Sequence, residues 1–125
     1  MRALVIDDSK TMRMIVGRIL KEIGFDITEA EHGKDGLDKL AASGPFDLAM
    51  VDWNMPEMNG YEFVQAARED SKNADMKIMM VTTETELEFV AQALEAGADE
   101  YAMKPFTKEI ILEKLALIGI ETAQA

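Results

Sequence analysis

Five polar residues whose side chains could bind a ligand or react stand at the ends of short apolar runs. Asp7 and Asp8 follow "RALVI", Asp52 follows "FDLAMV", Thr82 closes "KIMMVT", and Lys104 follows "EYAM". Ionised carboxylates are rarely buried without a partner. An aspartate that leaves an apolar strand is therefore expected to cap a helix, to bind a ligand or to react.

The segments that must position these residues alternate between two patterns. Short apolar runs predict strands, and each run is followed by apolar residues at helical spacing. This alternation predicts an α/β fold, a doubly wound five-stranded parallel sheet with five helices on its two faces. Strands covered on both faces are apolar throughout, as these runs are. The predicted strands cover residues 2–6, 25–30, 46–52, 77–82 and 100–103.

Several helix ends are visible as local signals. Gly24 stops the first predicted helix, and Gly60 opens the third. The "TETE" stretch at 83–86 has the form of a capping box, which predicts that the fourth helix starts there and runs to Gly97. The fifth helix is expected after "KPFT".

Composition limits the classes of protein that fit. The 125 residues are 48% apolar and 30% charged, which predicts one soluble domain of ordinary size over 1–125 with no effector domain. Cysteine is absent, so neither a disulfide nor a thiolate metal site is available, and a reducing cytoplasmic location fits. No apolar stretch approaches a membrane span of about 20 residues. The net charge of −11 argues against a nucleic-acid partner. No membrane partner is expected, and the protein is expected to be a monomer.

The carboxyl ends of parallel strands meet at one edge of a sheet, where ligand sites form. Asp7, Asp8 and Asp52 are therefore expected to lie close together, beside Lys104. Two carboxylates about 5 Å apart repel by roughly 3 kcal/mol at an effective dielectric of about 20. One lysine cannot neutralise three carboxylates, so the sequence predicts a bound hard cation, Mg²⁺. The structural alternative is that Asp8, Ser9, Thr82 or Thr83 only caps a helix.

Four segments carry a resemblance to a known family. "VIDDSKTMR", "DWNMPEMNG", "MVTTE" and "YAMKPFT" resemble the receiver domain of two-component response regulators, over residues 2 to about 118. Within that family the chain is most similar to the single-domain chemotaxis regulators of the CheY type. The resemblance implies a flavodoxin-like fold with strand order 2-1-3-4-5, an order that the sequence pattern alone does not specify.

The resemblance also implies roles at the predicted site. Asp52 would be the phosphoacceptor, a nucleophile that takes a phosphoryl group from a kinase histidine. Asp8 and Asp52 would bind Mg²⁺ directly, Asp7 would act largely through water, and the main-chain carbonyl of Asn54 would complete the protein ligands.

Further roles follow from the same resemblance. Lys104 would pair with one phosphoryl oxygen, and the Thr82 hydroxyl would donate to another. Asn54 and Glu84 would flank the approach of hydrolytic water, while Thr82 and Tyr101 would form the switch. Positioning and charge neutralisation are most of what phosphoryl transfer requires. The protein is not expected to be an enzyme beyond catalysing its own phosphorylation and dephosphorylation.

The implied partners are a CheA-like histidine kinase, a target such as a flagellar motor switch protein, and a phosphatase. Phosphorylation would repack a face made by the fourth helix, the fifth strand and the fifth helix. The expected contact residues of this output face are Leu87, Val90, Leu94, Tyr101 and Lys114.

Two residues depart from the family pattern. Ser9 stands where an aromatic residue is frequent, Thr83 stands where alanine is common, and both could alter the lifetime of the phosphoryl group.

Other interpretations of the same residues stay open. The receiver could be a phosphorelay intermediate or a phosphate sink that reaches no motor. A haloacid-dehalogenase-like phosphatase also uses a strand-end aspartate nucleophile, but it requires a second aspartate where Asn54 stands. A flavodoxin-like FMN carrier requires a hydroxyl- and glycine-rich phosphate loop after the first strand, where Asp7 and Asp8 would repel the phosphate.

Overall fold

The computed structural model describes residues 1–83, 88–104 and 106–120. Among the helices of these residues, none is both long enough and apolar enough to span a membrane. The strands are β1 (Arg2–Ile6), β2 (Asp26–Ala30), β3 (Leu48–Asp52), β4 (Lys77–Thr82) and β5 (Glu100–Met103). The α-helices are α1 (Lys10–Ile23), α2 (Gly33–Ser43), α3 (Gly60–Glu69), α4 (Val90–Ala96) and α5 (Lys108–Leu117), and a 3₁₀ helix covers Ser71–Asn73.

All strand pairs are parallel, and the order across the sheet is β2-β1-β3-β4-β5. The predicted doubly wound fold and its strand order are confirmed. The central strands β1, β3 and β4 are buried almost throughout, whereas the edge strands β2 and β5 are partly exposed. Complete burial therefore explains the apolar runs of the three central strands, while the edge strands tolerate polar residues.

Alternate residues of each central strand enter two separate cores. Leu4 and Ile6 pack on the α2, α3 and α4 side, whereas Ala3 and Val5 pack on the α1 and α5 side. This division follows from the two-residue period of a strand. The fully buried side chains include three methionines that the sequence places in strands, Met50, Met79 and Met80.

Local capping explains where several helices begin and end. The Ser9 hydroxyl accepts a hydrogen bond from the Met12 amide at 3.2 Å, so the predicted capping role of Ser9 is present at the start of α1. Gly24 ends α1 with a φ of 120°, which side-chain-bearing residues rarely adopt. Asn59 and Glu62 form a reciprocal capping box at α3.

The sequence predicts that a capping box at 83–86 starts the fourth helix. Residues 84–87, which hold most of the predicted capping box, lie outside the described residues, as do Pro105 and residues 121–125. The helix begins at Val90, and its N-cap residue Phe89 makes no side-chain capping hydrogen bond. Gly97 ends α4 with a φ of 124°, as its position in the sequence predicts.

Candidate functional site

The candidate site lies on the rim of the sheet where β1, β3, β4 and β5 end. Asp7 comes directly after β1, Asp52 is the last residue of β3, and Thr82 is the last residue of β4. Lys104 comes directly after β5, and its amide donates to the Thr82 carbonyl at 2.7 Å. The parallel sheet therefore brings to one edge residues that are up to 97 positions apart, as Asp7 and Lys104 are.

Three carboxylates cluster on this rim. One oxygen from each of Asp7, Asp8 and Asp52 lies within 4.8 Å of the others. Asp7 and Asp52 are only 3% and 5% exposed, whereas Asp8 is exposed to solvent. The Lys104 Nζ lies 3.2 Å from Asp52 Oδ1 and 3.8 Å from Asp7 Oδ2. Lys104 thus faces two of the three clustered carboxylates.

Burial makes the ionised form of these carboxylates unfavourable. It is the largest cause that raises the pKa of Asp52 to about 6, with the nearby Asp7 charge adding to the effect and Lys104 opposing it. Burial also raises the pKa of Asp7, although the Ser9 amide and the Lys104 charge oppose that shift. The cluster therefore carries an excess of negative charge in a largely desolvated position.

The donor set fits a hard divalent cation. Carboxylate oxygens are the ligands that Mg²⁺ prefers, and Mg²⁺ needs few protein ligands because it retains several waters. The three clustered oxygens and the excess negative charge supply what such an ion requires. Asp8, as the exposed member, leaves the cluster open on the solvent side.

Hydrogen bonds to the main chain hold the turn after β1. The Asp7 amide donates to the Ala30 carbonyl at 3.2 Å, and the Ser9 amide donates to Asp7 Oδ1 at 2.9 Å. Arg13 Nη1 donates to the Asp7 carbonyl at 2.6 Å, a contact that the sequence analysis missed. The sequence contains a sign of this contact. Arg13 lies three positions before Val16, on the buried face of α1, and a charged residue on a buried face needs a hydrogen-bond partner.

The chain beyond Asp52 turns tightly against the end of β3. The Trp53 amide donates to the Val81 carbonyl at 3.2 Å, and the Gly60 amide donates to the Trp53 carbonyl at 2.9 Å. A Cβ at Gly60 would lie 2.7 Å from the Asp52 carbonyl oxygen, so glycine allows α3 to start against the site. Asn54 lies exposed in this turn, two residues beyond Asp52.

Thr82 is completely buried, and its hydroxyl has no hydrogen-bond partner among the described residues. The register pairs Asp52 with Val81, so Thr82 stands one residue further toward the rim than the partner of Asp52. An unpaired buried hydroxyl costs about 1–3 kcal/mol. The predicted hydroxyl donor therefore ends the strand next to β3, on the rim that carries the carboxylate cluster, and it makes no hydrogen bond to any described residue.

The second predicted switch residue, Tyr101, and the described residues of the predicted output face lie on β5, α4 and α5. Tyr101 is half-buried on β5, and Lys114 Nζ lies 4.5 Å from the centroid of its ring. Val90 is buried and Leu94 is 41% exposed on α4. Glu84 and Leu87 lie outside the described residues, so the structure gives no position for the predicted second water-flanking residue.

An aromatic contact joins the site to the start of α4. The Trp53 ring stacks on the Phe89 ring with centroids 5.4 Å apart and planes 11° apart, and on Tyr61 at 6.4 Å. The predicted fourth helix, which runs to Gly97, includes Phe89, but the sequence alone does not predict this pairing. The residue after Asp52 thereby contacts the residue just before Val90.

Comparisons with known proteins find similarity over almost the whole chain. Residues 3–116 match the response regulator receiver domain family. The chain is 44% identical over 119 residues to chemotaxis protein CheY1 of Helicobacter pylori, covering 94% of this chain and 96% of the relative. It is 47% identical over 116 residues to a chemotaxis protein CheY homolog of Campylobacter jejuni, covering 92% and 89%.

Solved structures give the same result. The structure of chemotaxis protein CheY4 of Vibrio cholerae aligns with a TM-score of 0.86 at 35% identity, covering 94% of this chain and 97% of that one. A CheY-like receiver domain protein of Methanospirillum hungatei aligns with a TM-score of 0.82 at 34% identity, covering 93% and 90%.

Proposed function

The chain belongs to the response regulator receiver family, and on this premise we propose that Asp52 is the residue that accepts the phosphoryl group. Its relatives make it a chemotaxis response regulator of the CheY type. The observation that carries the assignment of Asp52 is its buried carboxylate at 3.2 Å from Lys104, within a cluster of three carboxylates. We take the donor to be a cytoplasmic CheA-like histidine kinase.

The ionised Asp52 carboxylate acts as the nucleophile. One of its oxygens forms a bond to phosphorus while the bond between phosphorus and the kinase histidine nitrogen breaks, and the electron pair stays on the imidazole. With a pKa of about 6, Asp52 is largely ionised at neutral pH. Its elevated pKa also makes it a stronger base than an ordinary aspartate, and the Lys104 ammonium orients one oxygen by a hydrogen bond at 3.2 Å.

Two side chains on neighbouring strands stabilise the transferred group. Lys104, which bridges Asp52 and Asp7, pairs with a phosphoryl oxygen and offsets the charge that arrives with it. The buried Thr82 hydroxyl rotates to donate to a second phosphoryl oxygen and gains the hydrogen bond that it otherwise lacks in the described structure. Receivers need no further covalent chemistry, because positioning and charge neutralisation lower the barrier.

Receiver domains generally bind Mg²⁺ in an acidic pocket, and the carboxylate cluster fits that ion. We assign the ligands to Asp7, acting largely through water, to Asp8 and Asp52 directly, and to the main-chain carbonyl of Asn54. When bound, Mg²⁺ would supply positive charge to the carboxylates and to the phosphoryl oxygens.

We assign the loss of the phosphoryl group to water that attacks beside Asn54 and Glu84. The exposed position of Asn54 beyond Asp52 is compatible with this approach. The protein on this account catalyses its own phosphorylation and dephosphorylation and does not turn over external phosphate esters. A phosphatase would act by improving the attack of the same water.

We place the output on a face defined by α4, β5 and α5. The bistable element is Thr82 with Tyr101, since movement of Thr82 toward the phosphoryl group leaves space into which the Tyr101 ring can turn. The exposed Leu94 and the Lys114 ammonium above the Tyr101 ring supply apolar and cationic contacts. A short amphipathic helix from a flagellar motor switch protein suits this face.

The decisive experiment follows labelling by a small phosphoryl donor. With Mg²⁺ and acetyl phosphate, intact-mass spectrometry of the wild type should show one added phosphoryl group, stable in acid and labile in base. Asp52→Asn should show none. The matched control is Asp38→Asn, which makes the same change at an exposed aspartate on α2 and should label like the wild type.

Equal labelling of the wild type and Asp52→Asn would contradict the assignment. Passage of the label from Asp52 to a histidine phosphotransfer protein, without binding to the motor target, would instead identify a phosphorelay intermediate.

A further inference from the structure

Arg13 is a buried cation that the proposed phosphoryl transfer does not use. It lies in the first turns of α1 with a side chain only 10% exposed. A buried guanidinium is costly unless its donors are paired. Its Nη1 donates to the Asp7 carbonyl at 2.6 Å, and its Nε lies 3.2 Å from Glu29 Oε1.

The Asp7 carbonyl belongs to the turn that orients two of the clustered carboxylates. Other hydrogen bonds also hold this turn, among them those from the Asp7 amide to the Ala30 carbonyl, from the Ser9 amide to Asp7 Oδ1 and from the Arg13 amide to the Ser9 carbonyl at 3.0 Å. Arg13 therefore contacts the turn through both its main chain and its side chain. The guanidinium ties the peptide group between Asp7 and Asp8 to α1 and, through Glu29, to β2.

We propose that Arg13 is a positioning residue for the Mg²⁺ site, acting through the main chain at Asp7 and Asp8. The guanidinium bonds the main-chain carbonyl of Asp7 and therefore does not compete with the ion for that residue's carboxylate. It holds the turn in the conformation that directs both carboxylates toward Asp52. This inference rests on the proposed function, since it assumes that the cluster binds Mg²⁺.

The direction in which Mg²⁺ affinity changes when Arg13 is replaced distinguishes a positioning role from an effect of its charge. A cation close to the site repels Mg²⁺, so its removal should tighten Mg²⁺ binding if charge were its main contribution. If Arg13 positions the ligands, its removal should weaken binding, because groups that orient metal ligands typically contribute 10- to 100-fold to metal affinity. We expect Arg13→Met to raise the Mg²⁺ dissociation constant by about 10-fold.

Arg68 provides a matched control at the opposite end of the sheet. Its side chain is 19% exposed and donates to the Gly97 carbonyl at 3.0 Å, the Asn73 carbonyl at 2.6 Å and Asp99 at 3.0 Å. Arg68→Met removes the same charge and a comparable set of hydrogen bonds away from the carboxylate rim. It should lower the melting temperature but leave the Mg²⁺ dissociation constant within about 2-fold of the wild type.

The experiment titrates Mg²⁺ into the full-length protein at constant ionic strength. The readouts are the fluorescence of Trp53, the single tryptophan, and calorimetry, together with a melt of each variant in chelator to verify folding. Arg13→Lys is included because it keeps the charge but cannot bond the Asp7 carbonyl and Glu29 in the same forked geometry. It should bind Mg²⁺ more weakly than the wild type.

Tighter or unchanged binding by the folded Arg13→Met protein, or equal weakening by Arg68→Met, would overturn the inference. If Arg13→Met does not fold, Arg13→Lys decides, and wild-type affinity in that variant would overturn it. Absence of Mg²⁺ binding by the wild type would instead refute the proposed metal site itself.

Discussion

At the scale of single residues, Asp52 is the carboxylate whose ionised form is destabilised by burial. Burial is the first cause that raises its pKa to about 6, and the Asp7 carboxylate adds to the shift despite Lys104 at 3.2 Å. A carboxyl whose pKa is higher in the folded than in the unfolded state holds its proton more tightly when folded. Its contribution to stability is therefore present below its unfolded pKa near 3.8 and is lost as the pH rises through about 6.

Asp52→Asn should accordingly stabilise the metal-free protein at neutral pH. In chelator at pH 7 we expect the free energy of unfolding to rise by about 1–3 kcal/mol, because the substitution removes a buried charge. The gain should shrink as the pH falls from about 6 to about 4, where wild-type Asp52 is protonated when folded. Urea unfolding across this pH range measures the difference.

Asp38→Asn serves as the control, since it makes the same change at an exposed aspartate, removes no buried charge and should leave the free energy of unfolding close to that of the wild type. If Asp52→Asn unfolds at lower urea than the wild type in chelator at pH 7, the argument from clustered carboxylates is wrong.

At the scale of elements, β4 and β5 connect the carboxylate rim to the proposed output face. Met80 pairs with Tyr101 and Thr82 pairs with Met103, so the hydroxyl and the ring lie on adjacent strands two residues apart in register. The Lys104 amide bonds the Thr82 carbonyl, which attaches the end of β5 to the end of β4. A change at Thr82 therefore reaches the output face across one pair of hydrogen-bonded strands.

Phosphorylation and target binding should strengthen each other through this strand pair. An amphipathic helical peptide from a flagellar motor switch protein should bind the beryllofluoride-activated wild type about 5- to 150-fold more tightly than the unactivated protein. Thr82→Ala should lose most of this ratio because it lacks the hydroxyl, whereas Thr82→Ser should retain it. Fluorescence anisotropy of the labelled peptide gives the affinities.

A target acts on the equilibrium only through its different affinity for the two states. Equal peptide affinity with and without beryllofluoride in the wild type would exclude the face formed by α4, β5 and α5 as the phosphorylation-dependent output.

At the scale of the whole molecule, excess negative charge makes the folded state responsive to cations. The chain carries a net charge of −11, and folding brings one carboxylate oxygen from each of Asp7, Asp8 and Asp52 within 4.8 Å of the others. The unfolded chain lacks this cluster because Asp52 is separated from the other two by more than forty residues. A cation that binds the cluster therefore stabilises the folded state selectively.

Mg²⁺ should raise the melting temperature in a concentration-dependent way. Binding to the folded state alone contributes about 2.7 kcal/mol when the free ion is at 100 times its dissociation constant. Differential scanning calorimetry over a range of MgCl₂ concentrations measures the shift. NaCl at matched ionic strength is the control for general screening of the net charge, and an equal shift in NaCl would contradict a specific site.

The sequence by itself determined the elements, because the signals that specify them are local. Apolar runs define strands, helical spacing defines helices, and residues such as Ser9 and Gly24 mark helix ends within one turn. The position of the site was also available, since polar residues at the ends of parallel strands must meet at one rim. The strand order came from the family resemblance, because periodicity does not say which strands are neighbours.

Only the tertiary structure decided which segments distant in the sequence contact each other, because local sequence patterns do not specify such contacts. The stacking of Trp53 on Phe89, and the bond from Arg13 to the Asp7 carbonyl, depend on how helices and turns sit against the sheet. Burial depends on all surrounding elements at once, and for that reason the raised pKa of Asp52 required the folded arrangement.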